Sequence, residues 1–251
     1  MKVGSIFLIL FAIFSQTIYA QKTLSVGYEY MPGFSYVSES GQYLGVDFEI
    51  LTASATAAGL KLEFHDIPWK RILVSIENGT LDLTTAASQT SKREKYAYFS
   101  NPYREEYYSL FVSSKKPEHI GIREFKEIFN KDFKLGIVIG VWYGAEFSDY
   151  MKNPDYKHKT NKVVTDLQNI RMLSKGRING FLCEPILAKG EIKKQGLSHQ
   201  IIESNFRYSN GYVHFMFSKA SVPQQIVKDF NKGLKIIIEN GTYDKIISAY
   251  Y

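Results

Sequence analysis

The chain has 251 residues, with 31 Lys and Arg against 25 Asp and Glu, a formal net charge of +6 and 15% aromatic residues. A single cysteine, Cys183, excludes an internal disulfide framework, and five scattered histidines with no H-x-x-x-H pair offer neither metal-ligand spacing nor a cofactor site. The positive excess falls on residues 115–212, where 17 basic residues meet 11 acidic ones, but they alternate with acids and aromatics as on a solvated surface, so nucleic acid is not the expected partner.

In chain order, residues 1–20 read as a signal peptide. Lys2 gives a basic start, Ile6–Phe14 an apolar run, and Ile18-Tyr19-Ala20 a cleavage site ahead of Gln21. No cysteine near Ala20 suggests a lipid anchor, and no later run is long enough to span a bilayer. The expectation is an exported, soluble chain of residues 21–251, located in the periplasm.

Thr23–Tyr28 alternates like a strand and is broken by Pro32 and Gly33. Gly45 opens a helix that runs to Gly59, Lys61–His65 is a second strand, Trp69–Glu77 a helix closing at Asn78-Gly79, and Leu81–Thr85 a third strand. Strand and helix in alternation with short loops predict an α/β fold with a parallel sheet. The third strand runs into small residues (Ala86, Ala87, Ser88), then Gln89, Thr90 and Arg93. Hydroxyls and backbone N–H groups with a guanidinium behind them are suited to hold a carboxylate. The plain alternative is a strand-to-helix turn with a solvated Arg, although Arg at a helix start opposes the helix dipole unless an anion is near.

Leu173–Asn179 echoes Ile76–Asp82, each a helix end, a capping Gly and a short polar residue before a strand. The first strand leads to Arg93 and the second to Cys183-Glu184-Pro185, so a cation and an acid occupy equivalent strand ends where α/β sheets place their ligands. Trp142 and Tyr143 lie between Gly140 and Gly144, an odd place for core aromatics, and are expected at a cleft rim. Trp69 reads equally as a core plug, Glu184 as a solvated loop acid, and Cys183 as a small buried apolar residue. Tyr107–Pro117 and Gly211–Ser218 are candidate crossings between two lobes, and Pro223 opens an amphipathic C-terminal helix. The expected division is residues 21–112 with 213–251 as lobe 1 and 113–212 as lobe 2.

These residues together resemble the periplasmic solute-binding proteins of the polar amino acid type, bacterial extracellular solute-binding family 3. The carriers are Gly45-Val-Asp-Phe-Glu, the helix–Gly-Thr-Leu-Asp unit, Thr90-Ser-Lys-Arg93-Glu, Phe99-Ser-Asn-Pro-Tyr103, Gly176-Arg-Ile-Asn with Glu184, and Asn240-Gly-Thr-Tyr-Asp-Lys. The resemblance implies a two-lobed clamshell with a hinge of two crossing segments. By position it implies that Arg93 clamps the carboxylate of a bound amino acid, with Thr85 and Ser88 completing the pocket and Tyr30 and Trp69 as aromatic walls. Gly140–Gly144, carrying Trp142 and Tyr143, matches the second-lobe loop that meets the carboxylate, and Glu184 stands where an Asp usually receives the ammonium. Glu for Asp, and Trp142 for a small hydroxyl residue, leave room for a differently charged or non-amino-acid solute.

The function expected is capture of a small, polar, carboxylate-bearing solute by hinged closure of a monomer. Delivery is to an ABC-type amino acid transporter permease or to a sensor. No Ser/His/Asp order, nucleophile motif or metal ligand set marks an enzyme. The alternative is an enzyme on the same scaffold, cyclohexadienyl dehydratase-like, with Glu184 as the proton-transfer group.

Overall fold

A computed structural model describes residues 23–129 and 132–250, so the segment read as a signal peptide lies outside the described residues. Its strands are β1 (Thr23–Tyr28), β2 (Tyr36–Val37), β3 (Tyr43–Leu44), β4 (Lys61–Asp66), β5 (Leu83–Ser88), β6 (Ala97–Phe99), β7 (Arg104–Ser113), β8 (Leu135–Val138), β9 (Thr160–Val163), β10 (Gly180–Cys183) and β11 (Ile201–Ser218). One sheet runs β4-β1-β5-β11-β7-β10-β8-β9, with β6 also paired to β11, while β2 and β3 form a separate hairpin. β4, β1 and β5 are parallel, as are β10, β8 and β9; β11 is antiparallel to β5, β6 and β7.

The hydrophobic core is split in the same way. One set of clusters draws on residues 24–103 and 213–246, with Phe215 and Phe217 of β11 packed edge-on against Phe230. The other draws on residues 108–206 and is dominated by phenylalanines, among them Phe125, Phe129, Phe133 and Phe181. Each fully buried side chain of this size is worth about 1.5–3 kcal/mol, so both lobes have cores of their own. Among the described residues, β7 and β11 are the strands that pass from one core to the other. They pair antiparallel from Ile201↔Ser113 to Val213↔Arg104, with irregularities between Glu203 and Arg207 and between Ser209 and Gly211. Among the described residues no helix is long and apolar enough to cross a membrane.

Local chemistry explains most elements. The helix Trp69–Asn78 ends because Gly79 takes a left-handed conformation (φ 81°). β5 starts two residues later than the apolar pattern predicts, because Leu81 N–H closes the preceding helix on the Ser75 carbonyl. It runs three residues further because Val213 of β11 pairs with Ser88. The helix Gln224–Glu239 packs against the helix Val46–Ala57 at Gly233, where a Cβ would lie 2.2 Å from the Ser54 carbonyl oxygen.

Candidate functional site

The carboxyl ends of β1 and β5 on one lobe face the starts of two helices on the other, across a cavity of about 500 Å³. On the first lobe, β5 is irregular near its carboxyl end, where its register with β11 shifts between His214 and Met216. Ala86 has φ 52°, the left-handed region, and its N–H donates to the Tyr103 hydroxyl at 3.0 Å. That hydroxyl donates in turn to Asp47 Oδ1 at 2.7 Å. The small residues accommodate this irregularity while the strand continues to Ser88, and Thr84, Thr85 and Ser88 line the cavity. The Thr90 hydroxyl then accepts the Arg93 N–H at 3.3 Å and sets the turn that brings Arg93 back over the strand end.

Arg93 is buried, and its guanidinium donates to the Ser88 carbonyl at 2.8 Å and to the Gly140 carbonyl, on the opposite lobe, at 2.9 Å. The Trp69 indole Nε1–H donates to the same Gly140 oxygen at 3.1 Å, and the Arg93 guanidinium lies 5.3 Å from the Trp69 ring centre. One carbonyl of the second lobe therefore closes on two first-lobe donors. Gly140 has φ 88°, and a Cβ there would sit 3.1 Å from Leu73 Cδ1, so both conformation and space favour glycine.

β7 presents Arg104, Glu106 and Tyr108 to the cavity at alternate positions. Arg104 is neutralised from behind: its Nε and one terminal nitrogen donate to the two Asp47 oxygens at 2.6 and 2.8 Å, with both side chains buried. Burial raises the pKa of the Glu106 carboxyl. The Asn210 amide donates both to Glu106 Oε2 at 2.8 Å and to the Trp142 carbonyl at 2.7 Å, tying hinge, carboxylate and second-lobe loop together.

The second lobe supplies acids at helix starts. Glu184 caps the helix Pro185–Lys194, its Oε2 accepting from Ile186 N–H at 2.7 Å and Leu187 N–H at 3.0 Å. Asp166 opens the helix Asp166–Ser174 behind the Thr165 cap, and the Cys183 thiol favours its ionised form. Burial pushes Asp166 up to about 7, abetted by the negative charges of Glu29 and Glu184. Burial likewise pushes Glu184 up to about 7, against the pull of the two N–H donors and Arg104. Burial also raises Glu29, whose Oε2 accepts the Trp69 N–H at 3.0 Å.

Seven of the residues singled out in the sequence line this one cavity: Tyr30, Trp69, Thr85, Ser88, Arg93, Trp142 and Glu184. Tyr143 does not. It is 3% exposed, its hydroxyl accepts the Val138 N–H at 2.8 Å, and its ring packs on Tyr108 and Phe147 in the second-lobe core. The flanking glycines signal a tight loop, and in that loop two adjacent aromatics point to opposite sides. Cys183 is buried as expected. Sequence reasoning missed Glu29, Asp66, Glu106, Asp166 and Glu191, which also line the cavity. The one available signal was the strand alternation of Arg104, Glu106 and Tyr108.

The model of the bacterial extracellular solute-binding proteins, family 3, matches residues 24–251. The arginine-binding periplasmic protein of Mannheimia haemolytica is 24% identical over 222 residues, covering 87% of this chain and 86% of its own. Among solved structures, an ancestral arginine-binding protein bound to arginine superposes with a TM-score of 0.74 at 22% identity, covering 91% of this chain and 98% of the other. A histidine kinase sensor domain with similarity to periplasmic binding proteins reaches a TM-score of 0.78 at 18% identity, covering 92% of this chain and 96% of its own.

Proposed function

The chain belongs to the bacterial extracellular solute-binding proteins, family 3, and from that premise we propose that it captures a small amino-acid-class solute by closure of its two lobes. The observation that carries this reading is the cavity of about 500 Å³ between the lobes, bridged at one edge by Arg93 and Trp69 on the Gly140 carbonyl. Arg93 spends two of its five N–H donors on backbone carbonyls, which fixes its plane and leaves the others for a solute carboxylate. Thr85 and Ser88 add hydroxyls, Tyr30, Trp69 and Trp142 enclose the body of the solute, and Glu184 receives its ammonium. A solute held by both lobes stabilises the closed form by the contacts the open form lacks. The lobes of this reading are residues 21–112 with 213–251 and residues 113–212. The chain works as a periplasmic monomer that hands its solute to an ABC-type permease or reports it to a sensor.

A second reading, an enzyme on the same scaffold, draws on Glu184, whose carboxyl titrates near 7 as a general acid's would. Binding takes precedence because the Glu184 oxygen that is hydrogen-bonded already caps a helix, and the relatives named above are binding proteins. The test is thermal unfolding against a panel of amino acids and small carboxylates, with Arg93→Lys in parallel. Ligand at about a hundred times its dissociation constant adds roughly 2.7 kcal/mol. A shift lost in the variant supports capture through Arg93. No shift across the panel, with turnover of a prephenate-class substrate, favours the enzyme.

A further inference from the structure

The charges around the cavity do not balance. Six carboxylates line it, from Glu29, Asp66, Glu106, Asp166, Glu184 and Glu191, against Arg93, Arg104 and Lys194. Arg104 is cancelled by Asp47 on its far side. Lys194 and Asp66 both stand exposed at the rim, the Lys194 ammonium 5.5 Å from the Tyr30 ring centre, which leaves five acids against Arg93. Burial makes each ionised carboxylate costly unless a donor or a positive charge faces it.

One buried carboxylate oxygen lacks such a donor. Glu191 is 8% exposed and lines the cavity, and its Oε1 has no hydrogen-bond partner among the described residues. A buried acceptor left without a donor is rare in a folded chain and calls for a group that is supplied on binding. The acids also come from both lobes. Glu29 on the loop after β1, Asp166 and Glu184 line the same cavity, and the negative charges of Glu29 and Glu184 both disfavour ionisation of Asp166. Closing the lobes without a solute therefore brings like charges together, and a positive group between them converts that opposition into attraction from both sides.

We propose that the solute of this site carries a cationic group, ammonium or guanidinium, beyond any that balances its own carboxylate, and that this group lies between Glu29 of the first lobe and Asp166 and Glu184 of the second, with Glu191 as a further acceptor. The inference rests on the amino-acid-class reading above and narrows it to solutes of net positive charge. Tyr30, Trp69 and Trp142, which also line the cavity, supply ring faces suited to the same cation. Glu29 becomes the residue that sets specificity, because it is the first-lobe acid whose charge acts on Asp166.

The experiment is calorimetric titration of the full chain with arginine, citrulline, agmatine, lysine and 1,4-diaminobutane. Citrulline matches arginine in length with a neutral ureido end, and agmatine is arginine without its carboxylate. The expected result is arginine at least tenfold tighter than citrulline. Glu29→Gln and Glu191→Gln should each weaken arginine by about tenfold while leaving citrulline unchanged. Unfolding of the ligand-free variants confirms that they fold. Citrulline bound as tightly as arginine overturns the inference and spares the amino-acid reading. Agmatine bound as tightly as arginine, with citrulline excluded, supports the cationic site and removes the carboxylate from the proposed function. Silence from all four cationic compounds overturns the inference.

Discussion

The two sides of the cleft are built on different principles. The first-lobe side near Arg93 is assembled from one contiguous stretch, β5 and the turn after it, and it offers hydroxyls, backbone and a guanidinium. The second-lobe side is assembled from three separated acids, Asp166, Glu184 and Glu191, on two helices. One half is a fixed cradle whose donors are largely satisfied within the protein. The other is a store of negative charge whose protonation depends on what faces it. A solute that bridges them must answer both, and the difference separates recognition of shape from recognition of charge.

The largest effect expected is on the buried pair that keeps the first-lobe side neutral. Asp47→Ala strands Arg104 inside the protein and should cost about 3–5 kcal/mol of stability, read by urea unfolding. Its tolerance without loss would mean that Arg104 finds another acid, and Glu106 is the nearest candidate on the same strand face. Next comes Arg93→Ala, which should weaken a carboxylate-bearing solute about 100-fold, or ~2.7 kcal/mol, and should spare a solute without a carboxylate. An equal loss for both would erase the distinction between the two halves.

The charge store makes a pH prediction. Asp166 and Glu184 hold their protons up to about pH 7 in the folded chain, whereas their ordinary values are 3.8 and 4.5. Between roughly pH 4 and 7 the folded chain thus binds more protons than the unfolded one, and ligand-free stability falls as pH rises through that window. The fall should be on the order of 5 kcal/mol between pH 5 and 8 and should be largely removed in Asp166→Asn/Glu184→Gln. The groups facing this pair are the Cys183 thiol and Glu29 at Asp166, and Arg104 and Glu106 at Glu184. A cationic solute should bind more tightly at pH 8 than at pH 6, because it favours the ionised forms. The smallest effect is Trp69→Phe, which removes one hydrogen bond to Gly140 and should loosen closure by ~1 kcal/mol, visible as a larger radius of gyration in solution scattering.

The same contrast governs how much could be read in the sequence. The first-lobe elements follow from alternation, Gly stops and a parallel α/β rhythm, and Ser88 and Arg93 stand within six residues of each other. The second-lobe acids look like ordinary solvated charges: Asp166 and Glu184 occupy helix starts, where acids are favoured for reasons unrelated to any ligand. Only the packing of the lobes places them in one cavity with Glu29. Tyr143 went astray for a related reason. Local sequence marks a loop, but which of two adjacent aromatics enters the core depends on the Val138 N–H that awaits it.

β11 carries a last consequence, one of timing. Its residues from Val213 to Ser218 complete the sheet beside β5 and β6, and the helix that follows covers the helix Val46–Ala57. A chain emerging from its N-terminus therefore meets the first lobe's missing strand only after the whole second lobe has been made. Contacts of such long sequence separation form slowly, so the first lobe is the late folder and the second can consolidate ahead of it.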